Sequence, residues 1–244
     1  MYLGNNSISE IYLAQVPICE LYLGDTLIYK TNKGIITDGL RYYLDGRDFI
    51  SGSNEWLPQV SKNPQDELVT ISGHPAKIGN CVKLAGGAVG QSLFKPNIPA
   101  TTFTFECYIK DIGQINDVSL WRFLGPTYSY GVYCTMNTYG YEPEMWIDGL
   151  TSSGYSFECI LDPHNFKSLY VQITCLNGNA NVYVNGELIK TGSNFGLYEE
   201  EPSLVLGDVI QSIGEPTFSS IRYYERALTK DELDTNRQFD LSIY

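Results

Sequence analysis

Histidine is nearly absent from this 244-residue sequence, which has only His74 and His164. That leaves almost no material for a His-based metal site or a His-assisted nucleophile. Cations are also scarce: 16 Lys and Arg face 28 Asp and Glu, a formal charge of −12. So acidic a surface repels phosphate backbones and anionic lipid, which makes nucleic acid and membrane poor partners. Charged residues of both signs amount to 18%, too few for Glu- and Lys-rich helices, whereas 23 Gly and 19 Tyr suit short strands and turns. The cysteines at 19, 81, 107, 134, 159 and 175 form no CxxC pair, which argues against a zinc ribbon or thioredoxin-type site. Cys107, Cys134, Cys159 and Cys175 lie in apolar, strand-like runs and read as buried free thiols. Disulfides would need an oxidising compartment, to which nothing in the sequence points. No apolar run reaches the length of a membrane span, and MYLGNNSISE lacks the basic and apolar regions of a signal peptide. The expectation is a soluble protein made in a reducing cytoplasm.

What is present is organised. The first thirty residues repeat with a period of ten: YLGNNSISEI, YLAQVPICEL and YLGDTLIYKT. Each unit carries an aromatic-aliphatic pair (Tyr2-Leu3, Tyr12-Leu13, Tyr22-Leu23), a small residue, a polar turn and an apolar position (Ile8, Ile18, Ile28). The alternation of turn chemistry with β-prone pieces reads as three strand-turn-strand units. A ten-residue unit cannot bury a hydrophobic face alone, so residues 1–30 are expected to anchor or oligomerise the chain; the other reading is an edge of the main domain. Residues 31–39 read as a linker and 40–244 as the body. There FTFECYIK (103–110) alternates with period two, and Asn177-Gly178 and Asn185-Gly186 mark two tight hairpin turns in a three-stranded meander. SLVLGDV (203–209) is a further strand ending at a Gly turn. Thr229–Glu232 forms a capping box for a terminal helix, with Ala227, Leu228 and Leu233 packing it on the sheet. The fold class expected is all-β, a two-sheet antiparallel sandwich with one short C-terminal helix.

In order and pattern, these segments resemble the laminin-G-like, concanavalin-A-like jelly-roll superfamily over residues 39–244. GLRYYLDGRDF is similar to its opening strand, and CVKLAGGAVG with FTFECYIK to its Gly-turn strand and the strand after it. LYVQITCLNGNANVYVNGELIKTG resembles the family hairpin, and FSSIRYYERALTKDEL its closing strand and helix, the most specific part of the likeness. One departure is that Leu169 and Tyr170 stand where the family usually has Trp. The Tyr-Leu-Gly repeat is in turn similar to amino-terminal repeats in virion proteins of phages that infect gut bacteria. The two resemblances together imply an arm-anchored fibre or decoration protein on a phage head or tail, and fibre proteins in general suggest a homotrimer.

Jelly rolls of this kind often bind sugars, which stack on aromatic faces beside carboxylates. TYSYGVYCTMNTYGYEPEMWIDG (127–149) reads as a hairpin bent at Asn137–Tyr141. Period-two alternation puts Glu144, Trp146 and Asp148 on one face with Tyr133 and Thr135. A turn centred near Tyr139-Gly140 predicts the pairs Thr135–Glu144, Tyr133–Trp146 and Gly131–Asp148. The candidate carbohydrate site is therefore Tyr133, Glu144, Trp146 and Asp148, with Tyr139 or Tyr141 at the tip. The competing reading buries this face against another subunit or loop. Catalysis is not expected: Glu142, Glu144 and Asp148 share parity, but Trp146 interrupts them. Residues four apart on a strand have Cα atoms roughly 13 Å apart, far beyond a cooperating carboxylate pair. No cofactor is expected. Calcium is the ligand the family would suggest, with Asp111, Asn116, Asp117 and Asp208 as turn-located donors, but no dense acidic cluster supports it. Tyr198 to Glu201 reads as a solvated loop.

The function these readings favour is a non-enzymatic virion protein, self-associating and bound to other virion proteins, that touches host-surface polysaccharide. The alternatives are a bacterial surface glycan-binding module and a glycoside hydrolase on the same fold.

Overall fold

Short antiparallel pairs form along the opening repeat. In the computed structural model, β1 (Tyr2–Leu3) pairs antiparallel with β2 (Asn6–Ser7), and β3 (Tyr12–Leu13) with β4 (Val16–Pro17). β5 (Glu20–Leu23), which begins at the end of the second unit, pairs likewise with β6 (Thr26–Lys30), so the described residues of the arm form three two-stranded sheets. Besides these strands, the structure describes residues 34–92, 94, 96, 100–113, 118–124, 131–137, 143–151, 154–197, 203–207 and 215–244. Ile8 and Ile18 lie outside the described residues, whereas Ile28 belongs to β6.

The end of the stretch read as a linker is fastened to the body. The Ile36 amide donates to Asn236 Oδ1 (2.8 Å), the Tyr224 hydroxyl donates to Ile36 O (3.0 Å) and Arg226 Nε donates to Asp38 O (2.9 Å).

Among the described residues, fourteen strands and a helix build the body. In order they are β7 (Leu40–Asp45), β8 (Glu55–Trp56), β9 (Val69–Ile78), β10 (Cys81–Ser92), β11 (Phe103–Asp111), β12 (Val118–Leu124) and β13 (Gly131–Asn137). There follow β14 (Glu144–Thr151), β15 (Gly154–Leu161), β16 (Leu169–Leu176), β17 (Asn179–Val184), β18 (Glu187–Gly192), β19 (Ser203–Leu206), β20 (Thr217–Tyr224) and α1 (Lys230–Ile243). One layer runs β7-β20-β11-β16-β17-β18 and the other β8-β9-β10-β19-β12-β13-β14-β15, all antiparallel. β10 joins them. Its Val82 and Lys83 pair with β20, its Gly90–Ser92 pair with β19, and its ladder with β9 shifts register between Ala85 and Val89. This is the expected all-β jelly-roll sandwich. The predicted meander is β16-β17-β18, and Asn177, Gly178, Asn185 and Gly186 all have positive φ, as tight hairpin turns require.

The core fills the space between the layers. The Phe105 ring on β11 meets Trp121 on β12 with centroids 4.7 Å apart, and Phe157 on β15 meets Phe195 at 5.2 Å. Cys81, Cys107, Cys134, Cys159 and Cys175 are buried free thiols. FTFECYIK keeps its period of two, yet both faces are buried. Phe103, Phe105, Cys107 and Ile109 enter the core, while Thr104, Glu106 and Tyr108 are covered on the other side.

The cover on that side is α1, which starts as the sequence predicts. The Glu232 amide donates to Thr229 Oγ1 and the Thr229 amide to Glu232 Oε2 (2.8 Å). Leu228 and Leu233 pack with Tyr224 beneath it, and beside them lies a polar layer. Arg222 donates to both oxygens of Asp240 (2.8 and 2.5 Å) and to the Tyr170 hydroxyl (3.2 Å), so Tyr170 belongs to this network. Gln172 and Asn236 donate to the two Glu106 oxygens (2.7 and 2.8 Å). Burial nevertheless lifts the Glu106 carboxyl to about 7.

Candidate functional site

With α1 closing one outer face of the sandwich, the candidate residues lie on the outer face of the other layer. The β13–β14 hairpin forms, but two residues away from the predicted pairing. Tyr133 opposes Asp148, Thr135 opposes Trp146 and Asn137 opposes Glu144. Asn137 is thus in the strand and not in the bend. The core side explains the register. Val132 faces Gly149, where an added Cβ would come within 2.3 Å of the Phe157 ring, and Met136 faces Met145 in the interior. A slip of two preserves which side chains share a face, whereas a slip of one would have reversed them. The predicted composition of the face therefore survives, and its neighbour relations change.

Trp146 is half-buried at the centre, and its Nε1 donates to Glu144 Oε2 (3.0 Å). Across the strands it is flanked by half-buried Thr135 on β13 and by Ile160 on β15, which is 50% exposed. Tyr133 is Trp146's diagonal neighbour, not its direct partner. One row along, Arg122 on β12 opposes Tyr133, Tyr133 opposes Asp148, and Asp148 opposes Glu158 on β15. Tyr139 and Tyr141 lie outside the described residues.

Asp148 differs most from expectation. It is fully buried, and neither carboxylate oxygen meets a hydrogen-bond partner among the described residues. Burial pushes its carboxyl up to about 6, and the neighbouring charge of Glu158 adds to the rise. The Tyr133 hydroxyl and the Cys159 amide stand near enough to hold it down in part, without reaching hydrogen-bond geometry.

Ile160 and Glu158 were missed in the sequence. The signal was present, since GYSFECIL alternates Phe157 and Cys159 inward with Ser156, Glu158 and Ile160 outward. Without knowing that this strand borders β14, its outward residues could not be assigned to the patch.

Glu144 and Asp148 lie four apart on one strand, and Glu142 is outside the described residues. Of the four calcium donors the sequence suggests, one lies among the described residues. Asp111 Oδ1 accepts from the Gly113 amide (2.9 Å) within its own turn, and Asn116, Asp117 and Asp208 are outside the described residues. Among the described residues no three His, Cys, Asp or Glu side chains are grouped to hold a metal, and no helix is long and apolar enough to cross a membrane.

No protein-family model matches this sequence, and neither does any curated protein. Solved structures do match in fold. The binding domain of botulinum neurotoxin DC in complex with rat synaptotagmin II superposes with a TM-score of 0.61 at 14% identity, over 84% of this chain and 52% of that one. The same binding domain in complex with SialylT gives 0.60 at 14%, over 85% and 52%. Domain 4 of AbnA, a GH43 extracellular arabinanase from Geobacillus stearothermophilus in complex with arabinotriose, gives 0.56 at 17%, over 81% and 98%. The chain spans about half the length of the toxin domains and nearly the whole of the arabinanase domain. At these identities the likeness establishes a shared sandwich fold.

Proposed function

We propose that this protein is a non-enzymatic glycan-binding jelly roll, displayed on a bacteriophage virion and held there as a homo-oligomer, a trimer, through its N-terminal arm. The observation that carries the glycan reading is the outer sheet face. Trp146, half-buried and tethered to Glu144, lies among Tyr133, Thr135 and Ile160, an aromatic patch edged by Glu144 and Glu158. Such a surface suits a pyranose ring, which stacks its C–H face on an aromatic plane and donates hydroxyls to acids at the rim. Sandwiches of the same fold that were solved with sugars, the toxin domain with SialylT and the arabinanase domain with arabinotriose, lend the reading support.

The arm supports the anchoring half. The two-stranded sheets among its described residues are each too small to be stable alone in water, which favours a further surface such as copies of the arm or a virion protein would supply. The virion assignment itself rests on the likeness of the Tyr-Leu-Gly repeat to phage repeats. Two observations favour a binding protein over a hydrolase: the spacing of Glu144 and Asp148, and the burial of Asp148.

The test is retention of the full chain on immobilised bacterial cell-wall and capsular polysaccharides, with and without Trp146→Ala. The variant should lose tenfold or more in affinity, in line with removal of a stacking aromatic, while its melting temperature stays near that of the wild type. Reducing-end release from the same polysaccharides should remain at background. Unchanged binding by Trp146→Ala would remove this patch as the site.

A further inference from the structure

The face around Trp146 carries more negative charge than is needed to accept hydrogen bonds from hydroxyls. Glu144 and Asp148 flank Trp146 along β14, and Glu158 stands directly opposite Asp148. Like charges directly opposed across a sheet destabilise it. Buried structural acids elsewhere in this protein are relieved: Asp240 by two Arg222 nitrogens, Glu106 by Gln172 and Asn236. Asp148 is relieved less: it is fully buried, the Tyr133 hydroxyl and the Cys159 amide hold it down only in part, and neither oxygen meets a hydrogen-bond partner in full geometry among the described residues. A pair left in this state gains from any cation that can sit beside it.

A metal ion is the weaker occupant, because no third His, Cys, Asp or Glu among the described residues completes a coordinating group. The charged side chains at the margins are Arg122, two strands away across Tyr133, and Lys190 on β18, which acts on Cys159 beside the pair. The aromatic platform adds a second attraction, because the faces of Trp and Tyr rings favour cations.

We propose that Asp148 and Glu158 form a cation subsite beside the Trp146 platform, and that it takes the free amine of a hexosamine unit in a glycan. Glu158, half-buried, is the member that an incoming ammonium meets, and buried Asp148 beside it contributes the second charge. The ammonium can donate to Glu158 while the charge of Asp148 behind it adds attraction and the sugar ring covers Trp146. An N-acetylated unit would leave the opposed charges unrelieved, and a uronic or sialic acid would add a further negative charge. This inference rests on the glycan reading above and narrows it to one class of sugar.

The experiment uses the full chain on an array carrying free-amine, N-acetylated and acidic glycans at low salt, repeated with Glu158→Gln and Trp146→Ala, alongside thermal melts with calcium chloride alone. The expected hits carry a free amine, weaken tenfold or more in Glu158→Gln although its melting temperature is no lower than that of the wild type, and weaken again as salt rises. Hits confined to N-acetylated or acidic glycans, bound equally by Glu158→Gln, would overturn the amine subsite while leaving the glycan reading intact. An array with no hits would overturn both. A melting temperature raised by calcium in the wild type, but not in Glu158→Gln, would overturn the amine in favour of a metal.

Discussion

Asp148 ties the stability of this protein to pH in a direction opposite to most carboxylates. Its ordinary value is 3.8, and burial, with Glu158 adding, lifts it to about 6 in the folded chain. The folded state therefore holds this proton more tightly than the unfolded state does. The contribution is most favourable below 3.8 and is lost as pH rises through 6. At about 1.36 kcal/mol per tenfold change in proton affinity, the whole window is worth about 3 kcal/mol, of which about 2 kcal/mol falls between pH 4 and pH 7. Asp148→Asn keeps the shape and removes the titration. Whatever fixed cost its amide brings is the same at both pH values and cancels in the comparison. Urea unfolding of wild type and variant at the two pH values should show the wild type losing about 2 kcal/mol relative to the variant at pH 7. Glu158→Gln, which removes the opposed charge, should shrink that difference. A wild-type-minus-variant difference that is the same at pH 4 and pH 7 would refute the picture of a buried, unrelieved carboxylate.

Three further outcomes follow from other parts of the molecule. Thr229→Ala removes the acceptor for the Glu232 amide at the start of α1 and should cost about 1 kcal/mol in the same urea assay. Burial pushes the Cys159 thiol up to about 12 and Cys175 to about 11, and raises Cys107 well above its ordinary range. With five of the six cysteines buried, a thiol-specific dye should label no more than one in the native protein and all six in urea. Light scattering should give a multiple of the 27.4 kDa chain mass for the full chain and a monomer for a version lacking residues 1–30.

Much of the architecture was legible because short-range chemistry marks it. Asn177-Gly178 and Asn185-Gly186 announce tight turns, Thr229 and Glu232 announce a helix start, and the repeat announces three small strand pairs. The burial of Thr104, Glu106 and Tyr108 was not legible, because it depends on a helix that begins more than a hundred residues later. At the candidate site the face was legible and the register was not. Parity along β13 and β14 follows from alternation alone, but the pairing of Val132 with Gly149 depends on Phe157, which belongs to a third strand. The same limit hid Glu158 and Ile160. Asp148 was expected to be a solvent-facing flank, and only the assembled sheet shows it enclosed.

The placement of β20 sets the timetable of folding. It follows every other strand in sequence, yet lies inside the helix-side layer, bonded to β7, β11 and β10. Until residues 217–224 are made, β7 has no partner in that layer, β11 lacks one of its two neighbours, and Arg222 is missing from the polar layer. Long-range closures of this kind are slow and are completed late. The arm, in contrast, is made before the body, and its described strands pair with near neighbours in sequence. Under the proposed self-association, the arms of neighbouring chains meet while the sandwich is still open, and association precedes folding of the head.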